Sequence, residues 1–104
     1  MADVVSENMS CLHLIAGSDE RALEDCLARS LPGDAILFFD AGVLHLLSPR
    51  VSEVNRSGRG FLFAAVDLEA HGLLATAEAA RATLVKDDDF CRLLAEHAQC
   101  LTWT

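Results

Sequence analysis

Three apolar runs recur along this chain: Cys11–Ala16 (CLHLIA), Ala35–Phe39 (AILFF) and Gly60–Val66 (GFLFAAV). Between them lie stretches whose apolar residues fall at helical spacing. A strand that is apolar on both sides must be covered on both faces, and parallel neighbours need a crossover segment, usually a helix. The alternation therefore predicts an α/β fold: one domain with a mainly parallel sheet of about five strands and helices on both faces.

The residues between the runs supply the punctuation. Gly17-Ser18 offers a turn and an N-cap, with Asp19 and Glu20 suited to the positive end of a helix. Ala22, Leu23, Cys26, Leu27 and Leu31 then share one apolar face, and Pro32-Gly33 ends the helix. Asp40-Ala41-Gly42 reads as a turn into a short helix, Val43–Leu47, stopped by Ser48-Pro49. Residues 50–59 read as a loop carrying Arg50, Arg56 and Arg59, the one locally basic piece of the chain. Gly60–Val66 is the third strand, and Asp67–His71 a short helix capped by Gly72. Leu73–Arg81 is helical by its alanine content, and Ala82–Val85 is a fourth strand. Asp87-Asp88-Asp89 caps a last helix, Asp89–Ala98, with Phe90, Leu93, Leu94 and Ala98 on one face, and Cys100–Trp103 closes as a final strand. Residues 1–8 read as a disordered extension before a domain spanning 9–104, with Met9 an alternative start.

Hydrophobic residues make up 52% of the chain, slightly above the usual share, which suggests a covered subunit interface. The Ala35–Phe39 run, flanked by Asp34 and Asp40, is far shorter than the roughly 20 residues of a membrane span. Met1–Ser10 lacks the basic start and apolar stretch of a signal peptide, so the expected location is the cytoplasm and the expected state of the four cysteines is the thiol. Eight basic residues against sixteen acidic ones, a formal charge of -8, argue against direct binding of nucleic acid.

Most familiar chemistry lacks its residues. Cys11, Cys26, Cys91, Cys100 and the four histidines form no C-x-x-C or H-x-x-x-H pair, so no metal is expected. Neither a phosphate-binding glycine loop nor a G-x-S-x-G elbow occurs, and no cofactor is expected. The thiols remain. Cys26, in mid-helix between Asp25 and Leu27 with Arg29 three residues on, is either a packing residue or a sulfur nucleophile. Cys91, beside Phe90, is the secondary candidate, whereas Cys11 and Cys100, in strands, read as core filler.

Taken together, Leu12-His13, Cys26-Leu27, Gly33-Asp34, Asp40-Ala41-Gly42-Val43, the segment Asp67–Leu73 (DLEAHGL), Asp88-Asp89-Phe90 and Trp103 resemble the TusB/DsrH family over most of the chain. Ala41 interrupts the family's usual Asp-Gly, and His71 stands where arginine is common. The resemblance implies a small α/β subunit of a sulfur-relay complex, a heterohexamer with TusD/DsrE-like and TusC/DsrF-like subunits that serves a sulfur-carrier protein of the TusE/DsrC type. It also implies persulfide transfer, either towards 2-thiolation of the tRNA wobble uridine or in oxidative sulfur metabolism. A cysteine at position 26 is similar to the DsrH branch, which points to oxidation and to Cys26 as a candidate persulfide carrier. The alternatives are a TusB-like subunit and a non-catalytic subunit that positions a partner's cysteine.

Overall fold

The computed structural model describes residues 10–31, 33–51, 60–97 and 99–103. Five strands form one sheet: β1 (Cys11–Ile15), β2 (Ala35–Phe38), β3 (Gly60–Ala64), β4 (Thr83–Val85) and β5 (Gln99–Trp103). Their order is β4-β3-β2-β1-β5, and every neighbouring pair is parallel. The chain steps outward from β1 to β4 one strand at a time, then crosses back to lay β5 on the far side of β1.

Strand alternation divides the apolar residues between two cores. On one face Ile15, Ile36, Phe38, Phe61 and Phe63 pack with α1 (Glu20–Arg29), the 3-10 helix η1 (Asp40–Leu47), α2 (Ala65–Ala70) and α3 (Leu74–Ala79). On the other, Leu12, Leu14, Leu37 and Val85 meet Phe90 and Leu93 of α4 (Asp87–Glu96). The expected α/β fold with helices on both faces is thus present, and the sheet is parallel throughout.

Several boundaries differ from expectation. Asp19, not Ser18, caps α1: its carboxylate accepts the Arg21 amide at 2.9 Å. The helix closes at Arg29, where the Ser30 amide bonds the Cys26 carbonyl, and Leu31 lies beyond it, 67% exposed rather than on the apolar face. The turn expected at Asp40-Ala41-Gly42 is already the start of η1. Strand β3 stops at Ala64 because the following residues, Ala65 and Val66, open α2. Lys86 occupies the cap position of α4 without a side-chain bond, so Asp87, Asp88 and Asp89 act through the helix dipole from inside the first turn. The N-terminal extension, Ala98, and the loop arginines Arg56 and Arg59 lie outside the described residues.

Candidate functional site

Cys26 sits on the side of α1 that faces the sheet. Helical spacing from Ala22 and Leu23 puts it there, and it joins Ile15, Leu23, Leu27, Phe38 and Val43 in the larger core at 0% exposure. Its sequence neighbours Asp25 and Arg29 lie on the exposed side of the helix. A sulfur atom with no accessible surface cannot reach a donor unless α1 moves. The other thiols divide differently: Cys11 is buried, while Cys91 and Cys100 are exposed. Cys100 therefore does not fill the core as its strand position suggests. It pairs in register with Leu12, but β5 is an edge strand and α4 does not cover it.

A polar network lies on β1, at the heart of the sheet. His13 is 1% exposed, and its Nδ1 accepts the indole N–H of Trp103 at 3.1 Å. Indole nitrogen can only donate, so the imidazole proton sits on Nε2 and is donated to Oδ2 of Asp34 at 2.9 Å. The same oxygen accepts the Leu31 amide at 3.0 Å, and Oδ1 accepts the Cys11 amide at 3.0 Å. Burial pushes the Asp34 carboxyl up, but the amides of Leu31 and Cys11 together with His13 outweigh it and hold the group below its ordinary value. Burial also pushes the Cys11 thiol up, as do the charges of Asp34 and Cys100, against a weaker hydrogen bond from the Leu101 backbone. Cys11 is therefore a poor nucleophile as well as a covered one.

A second set of contacts ties the carboxyl ends of β1 and β2. His45 is 3% exposed, donates from Nε2 to the Gly17 carbonyl at 2.9 Å and packs its ring against Phe38. Gly42 approaches the β1 backbone so closely that its amide bonds the Ala16 carbonyl at 3.0 Å. Asp40 holds a left-handed conformation, φ 52, with its amide on Oδ2 of Asp67 at 2.8 Å. Two open clefts, of about 630 and 140 Å3, lie at the carboxyl ends of β3 and β4, and no cysteine lines either. Among the described residues no group of three or more His, Cys, Asp or Glu side chains is placed to hold a metal ion. Arg50, expected to open the basic loop, instead lies in a helical turn over residues 49–51 and bonds Glu24 of α1 at 2.9 Å through Nε.

The segments singled out in the sequence thus meet in pairs: His13 with Asp34 and Trp103, and Asp40 with Asp67. A family model described as DsrH like protein matches residues 10–100. The chain belongs to the DsrH-like family. No curated protein matches it. In this DsrH-like chain the family pattern reads as architecture. His13 and Asp34 bind β1 to the approach of β2, Trp103 binds β5 to both, and the Asp40–Asp67 contact joins η1 to α2. No helix among its described residues is long and apolar enough to cross a membrane.

The histidine network escaped the sequence reading, which gave His13 and Asp34 no role. The available signal was a lone histidine in an otherwise apolar strand, which must find a partner when buried.

Proposed function

We propose that this DsrH-like chain is a cytoplasmic sulfur-relay subunit that assembles with DsrE/TusD-like and DsrF/TusC-like partners and positions a partner's carrier cysteine, with Cys26 serving as core. The burial of Cys26 carries this reading: the thiol has no exposed surface, and the exposed thiols Cys91 and Cys100 line neither of the described clefts. The large apolar side chains left in water, among them Leu44, Leu47, Val66, Leu94 and Leu101, suit a chain that works inside an assembly. Sulfur would pass by exchange alone. The partner's thiolate attacks the outer sulfur of a donor persulfide, the S–S bond breaks, and the donor leaves as thiolate, so neither oxidant nor cofactor is consumed.

The cysteine at position 26 supports a reading on the DsrH side of the family, and with it oxidative sulfur metabolism; tRNA wobble-uridine thiolation is the alternative branch. The delivery partner is a carrier protein of the TusE/DsrC type. The test is intact-mass measurement of the reconstituted complex after exposure to a persulfide donor. The expected result is added sulfur on the DsrE/TusD-like subunit and none on Cys26. Added sulfur on this chain that disappears in Cys26→Ser, with Cys91 still present, overturns the positioning role and makes Cys26 the carrier after an opening of α1.

A further inference from the structure

The larger cleft, about 630 Å3, runs between α2, α3 and the start of α4 beside the edge strand β4. Its apolar lining comes from Ala65, Val66, Leu74 and Leu84, and Val66 is 58% exposed in the isolated chain. Around that lining stand Glu69, Glu78, Asp87 and Asp88, all exposed, against one cation, Lys86, the sole lysine of the sequence. Among the described residues none of these four carboxylates belongs to an ion pair. Elsewhere on the surface, carboxylates do find partners: Glu24 meets Arg50, and Asp89 lies 4.0 Å from Arg92.

An apolar groove with an unpaired acidic rim is complementary to one kind of occupant. We infer that this groove docks a segment of a partner protein carrying apolar side chains flanked by lysine or arginine. Its apolar side chains would cover Val66, Leu74 and Leu84 while its flanking cations meet Glu69 and Glu78. Apolar burial supplies the affinity, and the rim supplies orientation and encounter rate. A vesicle surface rich in anionic lipid is excluded by the same rim, and a wholly polar cation would leave the apolar lining bare. The inference is independent of the sulfur-relay reading, because no thiol takes part in it.

The test is fluorescence anisotropy of the full chain with a labelled peptide, Lys-Lys-Leu-Phe-Leu-Lys-Lys. Two comparison peptides have glutamate in place of each lysine or serine in place of each apolar residue. Two charge-matched double variants separate the groove from the net charge: Glu69→Lys with Glu78→Lys at the rim, and Glu20→Lys with Asp25→Lys on exposed α1. The expected result is binding of the first peptide only, weakened about tenfold or more by the rim pair and by Val66→Asp, and by less than about threefold by the α1 pair. Circular dichroism establishes that each variant is folded, and the rim pair decides the matter if Val66→Asp is not. Equal weakening by the two charge pairs, equal binding of the serine peptide, or no binding of the first peptide overturns the proposal.

Discussion

Trp103 and His13, ninety positions apart in the chain, are joined by a 3.1 Å hydrogen bond from the indole N–H to Nδ1. The bond fastens the last strand to the first, and it fixes the imidazole tautomer that lets His13 donate onward to Asp34. Replacing Trp103 by Phe keeps a ring on the Ile15 side of the sheet but leaves a buried acceptor without its donor. The expected loss is about 1–3 kcal/mol, the range for an unsatisfied buried polar group. Urea unfolding followed by circular dichroism measures it, and an unchanged midpoint contradicts the assigned role of the bond.

Asp34 should govern part of the acid limb of stability. Its carboxyl is held below the ordinary value, so folding favours the ionised form. The resulting contribution is fully present above the unfolded value of about 3.9 and disappears as pH falls through the lower folded value. In Asp34→Asn this contribution is absent at every pH. Urea midpoints measured from neutral pH down through the carboxylate range should therefore fall less steeply for the variant, and the two curves should converge in acid. Parallel curves would falsify the linkage.

How far the sequence discloses this structure depends on the range of the interaction. Strands β1, β2 and β3 are legible because each is a short apolar run with its own stops, and the face of α1 follows from the spacing of Ala22, Leu23, Cys26 and Leu27. Errors of a residue or two collect where competing signals are close. Ser18 and Asp19 are both good caps, and Ala65-Val66 suits a strand as well as a helix start. Long-range facts are not legible. Nothing local to Cys100 says that β5 will return to the far side of β1 as an edge strand, and so nothing says that Cys100 is exposed or that Trp103 reaches His13. The candidate site was half visible for the same reason. Position on α1 put Cys26 on the apolar face, but only the packed core shows that no sulfur surface remains.

That enclosure predicts a pattern of thiol reactivity. In the folded chain Cys91 and Cys100 should react with a water-soluble aromatic disulfide within the fast phase, while Cys26 and Cys11 wait for opening. Peptide mass mapping after partial labelling assigns the sites. Urea at denaturing concentration should bring all four to similar rates, and fast labelling of Cys26 without urea contradicts the closed position of α1. Cys26→Ala, which empties part of a filled core, should cost about 1–2 kcal/mol.

Two glycines should respond to alanine very differently. Gly33 adopts φ 94 but has nothing within 4 Å of the place a Cβ would take, so Gly33→Ala meets only backbone strain of about 1–2 kcal/mol. Gly42 has an ordinary φ, yet its Cβ would be driven into the carbonyl of Ile15. That carbonyl accepts the Phe39 amide at 3.0 Å, and Gly42 itself bonds the Ala16 carbonyl, so neither backbone can yield without breaking the junction of β1 with η1. Gly42→Ala should therefore lose about 4 kcal/mol or more, in the exceptional range for one methyl group, and should also disturb His45, whose Nε2 bonds the adjacent Gly17 carbonyl. Thermal melts of the two variants give the comparison directly: a Gly42→Ala melt at or above that of Gly33→Ala contradicts the close approach of η1 to β1.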